Sequence, residues 1–194
     1  MSASVSLDDL FTEARSQRKF LDKPIPPGTL ENLYELLKWG PTSMNCSPAR
    51  FAFATSTEAK TKLAGCASEG NRERILVAPA TVIIANDQSF FDQMIKLVPH
   101  NPKAGDRFRD NEKLASDTTF RNGTLQGAYL MLAARSLGLD CAPMSGFDTD
   151  AVDASFFAQD SWKSNFICCL GYGDKNALQP RAPRLEFNEA CVVL

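Results

Sequence analysis

A chain of 194 residues, 44% hydrophobic and 23% charged, has the balance of a globular protein with room for one well-cored domain over residues 1–194. Its formal net charge of -2 excludes a general nucleic-acid binder, whose phosphate contacts need a basic surplus. With no basic-then-apolar leader and no apolar run near the roughly 20 residues that span a bilayer, a cytoplasmic protein without a membrane partner is expected.

Leu7, Leu10, Phe11 and Ala14 recur at helical spacing behind Ser6, a suitable cap, and predict a first helix to about Arg15. Pro24, Pro26, Pro27 and Gly28 then break the chain. Thr29 is the expected cap of a second helix carrying Leu30, Leu33, Tyr34 and Leu37 on one face, stopped by Gly40 and Pro41. Phe51 and Phe53 alternate with alanines in a short strand, and the capping-box pair Thr55 and Glu58 opens a third helix. A short helical piece from Arg72 to Leu76 leads to the apolar run Ala80 to Ala85, of strand length. A helix from Phe90 to Leu97 precedes the least regular stretch, Pro99 to Asn111, which has the composition of a mobile flap. The longest helix is predicted from Thr118 to Leu137, with Gly138 as its stop. A strand at Leu139 to Ala142, a helix at Val152 to Phe157 and a strand at Asn165 to Gly171 follow. The tail after Gln179 is extended and basic, then ends apolar, and needs something to pack on; a partner subunit would serve. Strands separated by helices without strict βαβ regularity predict an α+β sandwich.

Six cysteines occur, none in a C-x-x-C pair, and the strand-like setting of Cys168 and Cys169 reads as reduced, buried thiols rather than a disulfide frame or a zinc site. The one histidine, His100, lies in a polar loop between prolines. A hydrolytic triad would depend on it entirely, so an enzyme here would borrow the chemistry of a cofactor.

Four tracts could touch a ligand. Trp39 to Arg50 reads Trp-Gly-Pro-Thr-Ser-Met-Asn-Cys-Ser-Pro-Ala-Arg, a stiff helix-to-strand turn lined with short polar groups that suits a flat polar ligand. Arg15, Ser16, Arg18 and Lys19 could grip a phosphate, or merely complement a helix C-terminus. Asn71 and Arg74 could meet a heterocycle edge and a phosphate, or lie on a solvated helix face. Ala142 to Asp148 forms a turn in which Gly146 allows close approach of a ligand to backbone N–H groups. Gly171-Tyr-Gly-Asp174 lacks the third glycine of a dinucleotide fingerprint.

In order and spacing these tracts resemble the flavin-dependent nitroreductase family across nearly the whole chain. The resemblance implies a sandwich with a central mixed, mainly antiparallel sheet flanked by helices, and a homodimer whose C-terminal arm is exchanged with the partner subunit. It implies FMN as cofactor, with Arg15, Ser16, Arg18 and Arg181 at the phosphate and ribityl chain, and Asn71 and Arg74 at the flavin ring and its polar edge. Pro41, Thr42, Ser43 and Asn45 would come from the other subunit. Pro143, Met144, Ser145 and Gly146 would lie on the flavin, with the Ser145 N–H directed at N5. NADH or NADPH would be a transient co-substrate, its hydride passing through N5 in ping-pong fashion, and Thr42 or solvent could supply a proton.

The tracts at 39–50, 142–148, 163–165, 171–174 and 181–191 are most similar to the malonic semialdehyde reductase branch of that family, which implies reduction of malonic semialdehyde to 3-hydroxypropionate. The alternative is a broad reductase of nitroaromatics or quinones. Ala14 stands where many members carry a second basic residue, which shifts the phosphate grip onto Arg18; Ser145 replaces an acidic residue. A carboxylate substrate would need a nearby cation, for which Arg107, Arg109 and Arg121 are candidates. A non-catalytic flavin binder would keep the fold but hold flavin that NAD(P)H cannot reduce.

Overall fold

The computed structural model describes residues 5–194; residues 1–4 of the expected domain lie outside the described residues. Four segments extend into one sheet, β1 (Ala49–Ala54), β2 (Ala80–Asp87), β3 (Asp140–Met144) and β4 (Trp162–Gly171). The spatial order is β1-β2-β4-β3, and every neighbouring pair is antiparallel. The sheet's mixed character comes from a parallel bridge between Ser16 and Cys141, which lays the N-terminal segment along the outer edge of β3. Around the sheet lie α1 (Thr29–Leu37), α2 (Thr57–Cys66), α3 (Glu69–Val77), α4 (Met94–Leu97), α5 (Asp106–Arg109), α6 (Glu112–Ser136), α7 (Thr149–Phe156) and α8 (Phe187–Ala190).

Successive strand residues point to opposite faces, so the apolar runs of the inner strands divide between two cores. Val82, Ile84, Cys168 and Leu170 meet Leu33 and Leu37 of α1 and Leu130 and Ala134 of α6. Ile83, Ala85, Ile167 and Cys169 meet Leu63 of α2, Ile75 of α3 and Val152 of α7. The close approach of α6 depends on Gly127, where a Cβ would sit 2.4 Å from the Phe166 ring. A third, smaller core lies off the sheet, where Cys46 packs with Phe90, Met94, Val98, Ala104, Phe108 and Ala115.

The expected α+β sandwich is the observed architecture, but several boundaries move. Of the helix expected from Leu7 to Arg15, a π-helical turn at Asp8–Thr12 forms, with no buried residue to anchor it. A short helix without a packed face does not hold together on propensity alone. Gly28, at φ 77°, precedes α1 in place of the expected Thr29 cap, because the Pro26–Gly28 turn needs a left-handed residue there. Ser56, not Thr55, caps α2 by accepting the Ala59 N–H at 3.1 Å. Asn111 accepts the Leu114 N–H at 2.9 Å and starts α6 at Glu112, ahead of the expected Thr118. The segment expected to be a flap is instead fastened by Ala104 and Phe108, 4% and 3% exposed in the third core. β3 runs on through Pro143 and Met144, which the sequence placed in a turn. No helix among the described residues is long and apolar enough to cross a membrane.

Candidate active site

The tract from Pro41 to Pro48 leaves α1 and enters β1 in a shape few side chains accept. Met44, Asn45 and Ser47 have φ of 53°, 54° and 37°, the left-handed region that normally favours glycine. Such strain persists only where the surroundings over-determine it. Here the Ser43 N–H donates to Asn122 Oδ1 of α6 at 2.8 Å, and the Asn45 amide donates to the Leu97 carbonyl at 2.9 Å. The Ser47 N–H donates to the Thr42 hydroxyl at 3.1 Å, and the Ala49 N–H to Gln126 Oε1 at 2.9 Å. Arg50 donates to the Ser47 and Ala49 carbonyls and pairs with Asp87 at 2.5 Å. Cys46 is sealed beneath the loop, and burial pushes its thiol up to about 11, opposed by the Thr42 hydroxyl. Pro41, Ser43 and Asn45 remain exposed, and Thr42 is half-buried.

At the other edge of the sheet, Ser145 and Gly146 follow β3. The Gly146 carbonyl accepts from the Ser68 N–H at 3.0 Å, from the Ser68 hydroxyl at 2.9 Å and from the Asn71 amide at 3.0 Å. A Cβ on Gly146 would lie 2.7 Å from Ser68 Oγ, so glycine is required by the approach of α3. Ser145 is exposed, and its N–H makes no backbone hydrogen bond among the described residues. Pro143 is exposed and Met144 is buried in the core beneath.

Below that turn runs a basic trough. Arg18, Lys19 and Arg74 line a cleft of about 550 Å³ with Glu73 and Asp174. The Arg74 Nε is buried with no hydrogen-bond partner, an expensive state for a guanidinium that an added acceptor would relieve. Arg18 also lines a neighbouring cleft of about 460 Å³ with Arg15, Ser16, Arg181 and Arg184. Two of these arginines are partly spent on the chain itself: Arg15 donates to the Gln179 carbonyl at 2.5 Å, and Arg181 donates to the carbonyls of Thr12 and Ala14.

One chain therefore gathers Arg15, Ser16, Arg18 and Arg181 at one trough, with Arg74 alongside, and ties Asn71 to the Ser145–Gly146 turn. It does not bring Pro41, Thr42, Ser43 and Asn45 to them. β1 and β3 are opposite edges of the sheet, three strand spacings apart, or about 14 Å.

The model of the nitroreductase family matches residues 12–172. The chain belongs to that family. A relative from Ralstonia pickettii, named "Putative NADH dehydrogenase/NAD(P)H nitroreductase HadB", is 51% identical over 195 residues, covering 100% of both chains. A relative of the same general name from Stenotrophomonas maltophilia is 54% identical over 187 residues, covering 96% of this chain and 95% of its own. A crystal structure from Exiguobacterium sibiricum, described as a nitroreductase in complex with FMN, superposes with a TM-score of 0.86 at 21% identity, over 100% of this chain and 99% of that one. At that identity the likeness establishes the fold.

Several residues that shape this nitroreductase-family site were not foreseen. Asn122 and Gln126 sit four apart on the buried face of α6, each holding a backbone N–H of the strained loop. Their signal was present: polar side chains at helical spacing beside Gly123 and Gly127, between buried Ala115 and Leu130 on the same helix. Ser68 and the Arg50–Asp87 pair carried no such signal, because their partners are distant in sequence.

Proposed function

We propose that the chain is an FMN-dependent NAD(P)H oxidoreductase acting as a homodimer, with one domain over residues 1–194. The observation that carries this reading is the basic trough at Arg18 and Arg74, with the unpartnered Arg74 Nε, beside a turn whose Ser145 N–H is free. This donor set fits a phosphate-bearing flavin: Arg15, Ser16, Arg18 and Arg181 would take the phosphate and ribityl chain, Asn71 and Arg74 the polar edge of the ring. Ser145 is neutral and exposed, and its N–H would be available to an acceptor atom of the ring. When bound, FMN would supply hydride transfer from NADH or NADPH to a second substrate in ping-pong order.

Support for the dimer comes from what one chain leaves uncovered. The loop of Pro41, Thr42, Ser43 and Asn45 lies on the far edge of the sheet from the trough. Trp39 and Phe120 are 79% and 61% exposed, and in the tail Leu185, Phe187 and Val193 are 69%, 69% and 83% exposed. These side chains would be available to a partner surface. In the dimer the loop would reach the partner's trough, and the arm after Arg184 would cross to the partner. The Thr42 hydroxyl, or solvent, would supply the proton to a product alkoxide, and the enzyme would work in the cytoplasm.

The substrate reading is malonic semialdehyde, reduced to 3-hydroxypropionate, supported by the tracts that resemble that branch. A broad nitroaromatic or quinone reductase is the second reading, favoured by the names of the relatives. The deciding experiment is the visible spectrum of the protein with FMN, recorded anaerobically before and after NADH or NADPH. Flavin bands that bleach, then return on adding malonic semialdehyde, are expected. Return only with a nitroaromatic or quinone would move the assignment to the second reading, and bands that never bleach would sink the enzyme itself.

A further inference from the structure

Of the three candidate cations for an anionic substrate, the fold leaves them in different states. Arg109 is neutralised: its Nη1 pairs with Asp92 at 2.7 Å and its guanidinium lies over Phe91, 4.9 Å from the ring centroid. Arg121 lies on the exposed face of α6, one turn beyond Asp117, whose carboxyl it helps to hold below the usual range, after the larger effects of Lys113. Arg107 forms no ion pair among the described residues. Its Nη1 lies 3.8 Å from Met44 Sδ, and its guanidinium stands 5.4 Å from the Phe108 ring centroid.

The Arg107 side chain is exposed, and the backbone that carries it is fixed from below. Phe108 is 3% exposed in the third core, and Gly105 presses on the Phe91 carbonyl, where a Cβ would lie 2.5 Å away. Cys46 belongs to the same core, so the platform that carries Arg107 and the floor of the strained loop are one packed unit. Met44 lies between Ser43 and Asn45, the two residues assigned to the flavin, and is 39% exposed. A cation held beside Met44 therefore borders whatever lies next to the flavin-facing loop.

We infer that Arg107 is the specificity-determining residue for the second substrate and selects acceptors that carry a carboxylate. The inference rests on the proposed flavin reading and deepens it. Arg107 acts by binding: its free N–H groups donate to both oxygens of a carboxylate in a forked pair, while the thioether and the Phe108 ring hold the guanidinium without satisfying it.

The test compares an acid acceptor with its methyl ester, malonic semialdehyde and methyl 3-oxopropanoate, in wild type, Arg107→Gln, Arg107→Lys and Arg109→Gln. The quantity read is the ratio of kcat/KM, acid over ester. Wild type is expected to favour the acid. Arg107→Gln should lower the ratio by a factor of roughly 10 to 100, the weight of a lost charge-assisted bond, through KM for the acid. Arg107→Lys should retain part of it, and Arg109→Gln all of it. A ratio unchanged in Arg107→Gln, or a fall of equal size in Arg109→Gln, overturns the assignment. So does a wild type that bleaches with NADH yet shows no preference for the acid. Flavin that NADH or NADPH cannot bleach would defeat the oxidoreductase reading itself, and Arg107 with it.

Discussion

The loop from Pro41 to Pro48 and the tail from Gln179 to Leu194 are both assigned to one site, and they are built in opposite ways. The loop contains three non-glycine residues at positive φ, yet every bend is tied down by its own chain, through Asn122, Gln126, Arg50 and the Leu97 carbonyl. The tail is exposed at every position from Gln179 on, and its ties to the body lie at its start, at Gln179 and Arg181. The loop is specified before any partner arrives. The tail carries apolar residues whose burial would have to come from elsewhere. In the proposed dimer the loop would be the stiff group presented to the ligand, and the tail the adaptable strap that holds the second body in reach.

The largest expected effect is on the stiff side. Arg50→Ala removes the cation from Asp87, whose side chain is 8% exposed, and releases the Ser47 and Ala49 carbonyls. Breaking one partner of a buried pair costs about 3–5 kcal/mol, and denaturant unfolding should show a loss of that size. A loss under about 1 kcal/mol would mean that α6 alone fixes the loop. Next comes pH. The Cys46 thiol is raised by burial from 9.0 to about 11, and Cys169 likewise to about 11. Between those values the unfolded chain releases protons that the folded chain keeps, so stability is full below pH 9.0 and falls as pH rises through 11. A two-unit shift is worth about 2–3 kcal/mol per thiol, and Cys46→Ala should reduce that alkaline slope and leave the share of Cys169. An unaltered slope would put the Cys46 thiol in contact with water. In the tail, Cys191 is exposed in the single chain, so its reaction with thiol reagents should be fast in dissociated protein and slowed in the dimer.

The same contrast explains what the sequence made legible. The strands at Ala80 and Asn165 were readable because apolar runs with turn residues on either side need no distant partner to be recognised. Helix starts were not, since Ser56 rather than Thr55 caps α2 only because β1 ends at Ala54. The third core escaped notice because Pro99 and Pro102 break the periodicity that would have joined Phe90, Met94 and Phe108. For the site, tract composition pointed to Arg18, Asn71 and Gly146. It could not reveal that Arg109 is neutralised and Arg107 is not, because that distinction rests on where Asp92 and Met44 come to lie.

Deleting residues 185–194 tests the soft side. These residues are exposed throughout, so the unfolding free energy of the isolated chain should change by less than about 0.5 kcal/mol. The dimer, by contrast, should dissociate on dilution, as read by sedimentation. A truncated dimer as tight as the full chain would remove the arm from the interface.

The smallest effect on specificity, and the one that ties the loop to the third core, is expected at Met44. Its φ of 53° costs a side chain about 1–2 kcal/mol, which Met44→Gly would relieve. Glycine gives back about 0.5–1 kcal/mol through the freer unfolded chain. A net gain of about 0–1.5 kcal/mol in unfolding free energy follows from these opposing terms. Specificity should still move, because the thioether beside Arg107 is gone. The acid-over-ester ratio should fall, though less than in Arg107→Gln. A stable variant with an unchanged ratio would show that Arg107 needs only its Phe108 platform. A variant destabilised well beyond 1 kcal/mol would show that Met44, strained as it is, holds the loop to the third core rather than presenting it.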